Sequence, residues 1–175
     1  MGSVDHLVVG CADLDAGVRW IAERLSATPV FGGVHDGRGT RNALLGLGQQ
    51  YLEVLAVDPD QPETRFPLRE LLKDLIEPRV VTVAIAKRNL DKPVPMSRVR
   101  SDGVLLEWSV EFTSTPVFFI DWKDSPQPTS LPDGGRITSL SISTPDPGAL
   151  AGVNGVEVHE GPWHIEASIN GTPLI

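Results

Sequence analysis

The chain has 175 residues and 41% of them are hydrophobic, which is enough for one substantial core or for two small cores fused closely. Its net charge of -8 argues against non-specific binding to nucleic acid and against binding to an anionic membrane surface. Cys11 is the one cysteine, which excludes an internal disulfide, and no apolar run approaches the ~20 residues that cross a bilayer.

The first predicted elements are a strand, a helix and three further strands. Residues 1–3 lead directly into a strand over 4–9, so we expect no signal peptide and a cytoplasmic protein. A helix follows, with Asp13 or Asp15 as its N-cap, because apolar side chains recur at helical spacing as far as Leu25. Strands are then predicted from Pro29, over 42–47 and over 51–57. The predicted order is β-α-β-β-β.

The second half is predicted to be mostly strands. A polar loop over 60–67 and a short helix over 68–76, ended by Pro78, precede a buried strand over 79–86. Pro93 and Pro95 argue against a long helix after it. Further strands are predicted over 104–112, 116–122, 137–143, 156–159 and 164–169, with a proline-rich loop over 123–135 and a helical turn over 146–150.

A weak internal repeat runs through the chain. Residues 5–9 followed by 12–15 resemble 81–85 followed by 88–91, and also 138–142 followed by 144–146. Strands that cannot cover their own faces, used more than once, predict modules that pack side by side into a curved sheet.

The stretch 32–42 is rich in glycine and polar side chains, so packing alone does not explain it. Its glycines permit positive φ and the close approach of a ligand to the backbone. Candidate ligand-binding side chains in it are His35, Thr40, Arg41 and Asn42. Arg41 is suited to pairing with a substrate carboxylate. The alternative is a solvated turn in which Asp36 pairs with Arg38 or Arg41.

His6 and Glu53 are the two strongest candidates outside that stretch. Alternation places the side chains of the first strand on two faces: Val4, His6 and Val8 on one, and Asp5, Leu7 and Val9 on the other. His6 is either a hydrogen-bonded histidine in a strand or a site residue. Glu53 lies between two apolar neighbours, so its carboxylate either faces solvent or serves a site.

Two other residue types favour structural roles. The aromatic residues of the second half are typical of a core, and Trp122, at a strand end, is the best candidate among them for ligand stacking. Cys11 is better explained as a small buried side chain than as a reactive thiol, because no general base lies near it in sequence. No Ser-His-Asp spacing supports a hydrolase.

Several of these motifs resemble the vicinal oxygen chelate superfamily, and within it the glyoxalase-like domain branch (glyoxalase, bleomycin resistance and dioxygenase). In the first half they are Asp5-His6-Leu7-Val8-Val9 with Asp13-Leu14, Gly32-Gly33, His35, Gly37, residues 39–45, and Leu47-Gly48 with Tyr51-Leu52-Glu53. A looser match covers Pro116, Phe118-Phe119-Ile120 and Trp122.

This resemblance implies an α+β fold in which repeated βαβββ modules form a cupped mixed sheet with few short helices on the outside. The expected division is a first module over 1–59, a linker with a short helix over 60–78, and a second module over 79–175. The second module has a shortened helix and extra strands at its C-terminal end.

The resemblance also implies a divalent-metal site, with Zn²⁺, Ni²⁺, Mn²⁺ or Fe²⁺ as the candidate ions. His6 and Glu53 match ligand positions of the first module, and Asp121 is the candidate third ligand, with Glu166 as its rival. The second module departs from the pattern, because Thr82 or Ala84 stands where a second histidine is expected.

Two functions are compatible with the sequence. The first is a glyoxalase-like lyase or isomerase that acts on an oxygenated metabolite, with Glu53 moving a proton. The second is a non-catalytic protein of the bleomycin-resistance type that binds a drug or a metabolite. Ring-cleaving dioxygenase chemistry is disfavoured, because it usually requires two histidines and a carboxylate. The expected partners are a small-molecule ligand and a second copy of the chain, and neither nucleic acid nor a membrane.

Overall fold

The structure is a computed structural model that describes residues 2–100, 102–114, 116–128 and 130–175. Met1, from which the absence of a signal peptide is predicted, and Thr129 of the predicted loop over 123–135 lie outside the described residues.

Strands and two short helices alternate with loops along the chain. The first five elements are β1 (Ser3–Cys11), α1 (Leu14–Leu25), β2 (Val30–His35), β3 (Thr40–Leu47) and β4 (Gln50–Val57). The next five are α2 (Pro67–Leu72), β5 (Arg79–Ala86), β6 (Val94–Val99), β7 (Leu105–Phe112) and β8 (Val117–Asp121). The last are β9 (Ile137–Thr144), a 3₁₀ turn (Pro147–Leu150), β10 (Glu157–Glu160), β11 (His164–Ile169) and β12 (Thr172–Pro173).

Eight strands form one curved mixed sheet in the order β2-β3-β4-β1-β5-β8-β7-β6. β1 lies at its centre, parallel to β4 and antiparallel to β5. The two edge strands, β2 and β6, approach each other, so the sheet is nearly closed. This confirms the predicted α+β cupped mixed sheet. The division into modules over 1–59, 60–78 and 79–175 stays a prediction.

The helix α1 covers part of the outer face of the sheet. Asp13 is its N-cap, and the Asp13 carboxylate accepts a hydrogen bond from the Ala16 amide at 2.8 Å. Ser26 ends the helix in the left-handed conformation, with φ of 54°. The buried side chains of Leu14 and Ile21 belong to the same core as Leu7 and Val9 of β1.

A second sheet, in the order β10-β9-β11-β12, covers another part of that outer face. Ile142 and Ile169 of this sheet belong to one core with Val83 and Ile85 of β5 and with Val117 of β8. Residues 87–93 between β5 and β6 form no helix. The second sheet therefore buries apolar side chains of the half of the large sheet that α1 does not cover.

A bulge in β1 changes the alternation expected from sequence. His6 pairs with Ala84 and Val4 with Ile85, so Asp5 is an extra residue opposite β5. Val4 joins the outer core with Leu7 and Val9, and this corrects its predicted placement beside His6. The physical reason is the bulge, which resets the pleat and brings the Asp5 carboxylate to the side of His6.

Two further differences concern strand ends. β2 continues through the glycines to His35 because it pairs with β3 along this length, with a register shift between Phe31 and Gly33. β6 precedes the turn at Asp102-Gly103 and had not been assigned from sequence. None of the helices in the described residues is long and apolar enough to span a membrane.

Candidate functional site

The concave face of the large sheet encloses a narrow cup: the space open to the centre of a water-sized molecule measures about 30 Å³, within about 440 Å³ of empty space that includes open solvent. Its walls are largely apolar and aromatic, and they include Leu68, Met96, Trp108, Phe118, Ile120 and Trp122. Polar side chains are concentrated at one place in it, where His6, His35, Asn42, Glu53 and Arg98 meet. An apolar pocket with a few convergent polar groups is the usual form of a small-molecule site.

His6 projects from β1 into this cup and is 3% exposed. Its Nδ1 lies 2.7 Å from Oδ1 of Asp5, and its Nε2 lies 3.5 Å from Oε2 of Glu53. Its ring stacks on Tyr51 with the centroids 4.4 Å apart, and Phe118 meets it edge-on. Packing and hydrogen bonding together fix the orientation of the imidazole.

Asp5 is the group that orients His6. Its second oxygen, Oδ2, accepts hydrogen bonds from Nε1 of Trp122 at 3.2 Å and from Nε2 of Gln127 at 2.6 Å. These two donors hold the Asp5 carboxylate through the oxygen that does not contact His6.

Asn42 connects Glu53 to the opposite wall of the cup. Its Oδ1 accepts a hydrogen bond from Nη1 of Arg98 at 3.2 Å, so its Nδ2 faces Glu53 and donates to Oε1 at 2.5 Å. The same Nδ2 lies 3.4 Å from Nε2 of His35. Nε2 of His35 is then the acceptor, and its Nδ1 carries the proton and donates to Oγ1 of Thr40 at 2.9 Å.

The electrostatics of the site favour a charged His6–Glu53 pair. Burial alone lowers the pKa of His6, but the hydrogen bonds to Asp5 and Glu53 outweigh it and raise this pKa to about 9. Burial alone raises the pKa of Glu53, but the hydrogen bond and charge of His6 outweigh it and lower this pKa to about 2. Burial lowers the pKa of His35, which favours the neutral imidazole.

The structure brings six of the predicted site residues together. His6, His35, Asn42, Glu53 and Trp122 line the cup, and Thr40 lies directly behind His35. Trp122 packs on Trp108 with the ring centroids 5.4 Å apart, and its indole N–H holds Asp5.

Three other candidates lie elsewhere. Asp121 accepts a hydrogen bond from Nη1 of Arg88 at 3.2 Å and bonds to two backbone amides at the end of β8, away from the lining of the cup. Glu166 is exposed on the second sheet, where it pairs with His164. Arg41 alternates with Asn42 along β3 and therefore projects from the opposite face.

Cys11 is buried in the outer core and is not part of the cup. Burial raises the pKa of its thiol to about 12, which favours the unreactive protonated form.

Sequence reasoning missed Asp5, Tyr51, Arg98, Trp108 and Gln127. The signal for Asp5 was its position beside His6, but strict alternation assigned it to the opposite face. Arg98 lies on β6, which had not been assigned as a strand, so no pattern directed its side chain toward the cup.

A divalent metal does not fit the donor set of the cup. Among the described residues, no group of three or more His, Cys, Asp or Glu side chains is placed to hold a metal ion. Asn42 directs an N–H group, rather than a lone pair, at Oε1 of Glu53, and Nε2 of His35 lies 3.9 Å from the same oxygen. On the side of β5 and β8, Ala84, Phe118 and Ile120 offer no ligand atoms.

Solved structures share this fold at low sequence identity. A hypothetical protein from Staphylococcus aureus matches with a TM-score of 0.64 and 13% identity, over 97% of this chain and 89% of that chain. A hypothetical protein from Bacillus halodurans has a TM-score of 0.50 and 13% identity, over 73% of this chain and 99% of its own. Methylmalonyl-CoA epimerase in complex with methylmalonyl-CoA and NH4+ has a TM-score of 0.50 and 16% identity, with the same two shares of 73% and 99%.

No curated protein matches the sequence significantly. The family model described as a glyoxalase-like domain matches residues 4–153, which run from β1 past the 3₁₀ turn. This match includes the polar floor of the cup, which consists of His6, His35, Asn42, Glu53 and Arg98. It confirms the resemblance drawn from the sequence motifs. The chain therefore belongs to the glyoxalase-like domain family, within the vicinal oxygen chelate superfamily.

Proposed function

We propose that the protein is an enzyme that moves a proton on a small oxygenated metabolite, as a lyase or isomerase, with Glu53 as the base. The observation that carries this proposal is the His6–Glu53 pair, which lies buried on the floor of an aromatic cup and is held by Asp5 and Asn42. A base and an N–H donor side by side suit the removal of a proton next to a carbonyl group.

In the proposed step, a C–H bond adjacent to the substrate carbonyl breaks and its proton passes to the Glu53 carboxylate. The electron pair forms the C=C bond of an enolate, whose oxygen accepts a hydrogen bond from Nε2 of His6. When the α-carbon carries a hydroxyl group, this intermediate is an enediolate: the hydroxyl proton moves to the former carbonyl oxygen, the proton on Glu53 is delivered to the former carbonyl carbon, and the new C=O forms at the α-carbon to give the isomer. Departure of a leaving group with its electron pair from the next carbon gives the lyase outcome instead.

Ligand binding changes the basicity of Glu53 in the direction that this step needs. The contact between His6 Nε2 and Glu53 Oε2 is 3.5 Å long, so a carbonyl oxygen in the cup can compete for the Nε2 proton. When His6 bonds to the substrate, Glu53 loses the hydrogen bond that contributes to its low pKa. Burial then raises the pKa of Glu53 and makes its carboxylate a better base.

The alternative is a binding protein that holds a drug or a metabolite without reaction. It is favoured by a specific observation, because the polar groups of His6, Glu53 and Asn42 already satisfy one another while the walls are aromatic. These polar groups therefore need no hydrogen bond from a substrate, as expected of a site that binds a ligand mainly through its aromatic walls.

Solvent exchange followed by ¹H NMR in D₂O distinguishes the two functions. The probes are hydroxyacetone, dihydroxyacetone, lactaldehyde and pyruvate, each measured against its uncatalysed exchange. We expect the wild type to exchange a C–H next to the carbonyl of at least one probe, and Glu53→Gln to lower that rate about 10²-fold or more. Glu157→Gln, at an exposed position on β10, is the matched control and leaves the rate unchanged.

Two outcomes contradict the enzyme proposal. Equal exchange by the wild type and Glu53→Gln removes Glu53 as the base. No exchange of any probe, combined with thermal stabilisation by the same probes, favours the binding protein.

Metal content is measured on the same samples, purified without chelator or metal-affinity resin. We expect no stoichiometric Zn²⁺, Ni²⁺, Mn²⁺ or Fe²⁺. A stoichiometric ion that the His6→Ala, Glu53→Ala double variant loses would contradict this expectation. The cytoplasmic location and the homodimer expected from sequence stay predictions.

A further inference from the structure

The wall of the cup beside Asn42 contains a buried cation that the proposed proton transfer does not use. Arg98 projects from β6 into the cup and is 8% exposed. Its Nη1 donates to the neutral Oδ1 of Asn42 at 3.2 Å, while its Nε is buried without a hydrogen-bond partner. Within the described part of the chain, no carboxylate lies at ion-pair distance from it.

A buried guanidinium in this state is unusual. Arginine is almost never buried without a paired charge, because removing the cation from water is costly. Glu53 is the carboxylate that Asn42 links to Arg98, and it already contacts His6 and Asn42. The protein therefore keeps a desolvated cation in its cup that contacts no carboxylate directly, and the charge of Glu53 reaches it only across Asn42.

The local backbone makes room for this side chain. A Cβ atom at Gly33 of β2 would lie 2.6 Å from Cδ of Arg98, and Gly33 has φ of 147°, a conformation that suits glycine. A Cβ atom at Gly32 would lie 3.0 Å from Nη1 of Arg98. The two glycines thus let β2 lie directly against the arginine where the sheet nearly closes.

We propose that Arg98 is the recognition group for a carboxylate on the ligand of the cup. The planar guanidinium fork matches a carboxylate and forms charge-assisted hydrogen bonds with it. The aromatic and aliphatic walls suit a small organic acid whose remainder is apolar. A phosphate shares the oxyanion chemistry and is also bound by the guanidinium fork, so it is tested as a separate probe.

This inference deepens the proposed function and rests on the same cup as its substrate site. Asn42 links the two ends of that cup, because its Oδ1 bonds Arg98 and its Nδ2 bonds Glu53. A carboxylate held at Arg98 therefore leaves the adjoining carbon atoms on the side of Glu53 and His6. The substrate class is a small carboxylic acid with a carbonyl or hydroxyl group near the acid.

Isothermal titration calorimetry with matched probes tests the assignment. The acids are pyruvate, propionate and benzoate, the neutral partners are the corresponding amides, and methyl phosphate is the phosphate arm. We expect at least one acid to bind the wild type, with its amide about tenfold weaker or worse. Arg98→Met should weaken that acid by about tenfold or more and leave the amide unchanged. Arg19→Gln, at an exposed position on α1, is the charge-matched control.

The melting temperature, measured with and without pyruvate, separates recognition from a structural role. Arg98→Met also removes the donor to Oδ1 of Asn42, so the comparison uses the rise in melting temperature on adding pyruvate, which should be larger for the wild type than for Arg98→Met if the arginine binds the carboxylate. Arg98→Lys, which keeps the charge without the fork, should fold and bind the acid more weakly than the wild type.

Several results would overturn the assignment. They are a rise in melting temperature with pyruvate that is equal in the wild type and Arg98→Met, equal binding of acids and amides, and binding of no acid. Tight binding of methyl phosphate alone would assign the arginine to phosphate instead. Binding of pyruvate that depends on Arg98, without exchange of the pyruvate methyl protons, would sustain this inference and count against the enzyme proposal.

Discussion

His6 lies between two carboxylates, and this placement decides the chemistry of the floor. Asp5 bonds to Nδ1 and Glu53 faces Nε2, so both ring nitrogens are directed at acceptors. Imidazolium is the form that donates from both nitrogens. The site therefore holds a charged pair, and its strength depends on the bulge that brings Asp5 beside His6.

Removing the His6 cation should destabilise the fold strongly. His6→Ala leaves the carboxylates of Asp5 and Glu53 buried without their shared partner, and losing one partner of a buried pair costs about 3–5 kcal/mol. Urea unfolding measures this free energy. His159→Ala, at an exposed position, is the control and should change it by less than about 0.5 kcal/mol. Equal effects of the two substitutions would contradict the charged pair.

The same pair gives stability a defined pH window. Glu53 has a lowered pKa near 2 against an ordinary value of 4.5, so its contribution is complete above pH 4.5 and is lost as pH falls towards 2. His6 has a raised pKa near 9 against 6.5, so its contribution is complete below pH 6.5 and is lost as pH rises through 9. Urea unfolding from pH 3 to pH 9.5 should therefore show both slopes. Glu53→Gln should remove the acid slope and weaken the alkaline slope, which the hydrogen bond of Asp5 to His6 partly sustains, and unchanged slopes in this variant would contradict the assignment.

At this scale the sequence was informative where residues lie in regular strands near one another. His6 and Glu53, which the sequence singled out, lie 3.5 Å apart in the structure because β1 and β4 are neighbours, and their roles stay predictions. The position of the Asp5 side chain beside His6 was not predicted, because an alternating hydrophobic pattern does not reveal a β-bulge. The location of Arg98 in the cup was not predicted, because its neighbours Asn42 and Gly33 lie more than fifty positions away in the chain.

At the scale of elements, the glycines of β2 permit its contact with β6. The stretch 32–42 was recognised as unusual, but its role as a strand that faces an arginine depends on a partner that the local sequence does not reveal. The two edge strands approach each other only because β2 presents no side chain at this position.

Gly33→Ala tests this contact. The new methyl group would meet Cδ of Arg98, and we expect overpacking of about 1–3 kcal/mol beyond the cost of the backbone conformation. Gly37→Ala is the matched control, because Gly37 also has positive φ, of 69°, but nothing lies within 4 Å of its added Cβ. Urea unfolding compares the two, and an equal loss of stability would contradict the packing of β2 against Arg98.

At the scale of the whole molecule, one large sheet is covered on its outer face by α1 and by the second sheet. The strands of both sheets were largely predicted from alternation, and the cupped architecture was implied by the family resemblance. The way the second sheet packs could not be predicted, because the apolar faces of β9 and β11 indicate burial without indicating the surface that covers them.

Ile142 tests whether the second sheet is part of the same cooperative unit. Its side chain is fully buried in the core that also contains Val83 and Ile85 of β5. Ile142→Ala should lower the free energy of unfolding by about 2–5 kcal/mol and keep a single transition. Ile76→Ala, whose side chain is 96% exposed, is the control and should have little effect. Two separate transitions in the Ile142 variant would contradict a shared core.

The measurement that tests the charged floor most directly is an imidazole ¹H–¹⁵N NMR titration of the free protein from pH 5 to pH 10. We expect His6 to carry protons on both ring nitrogens at pH 7 and to titrate near pH 9. His35 should stay a neutral ring with its proton on Nδ1 at pH 7. His6→Ala assigns the signals where it folds, and the long-range couplings of each ring assign them otherwise. A neutral His6 at pH 7 would contradict the charged pair on which the proposed site is built.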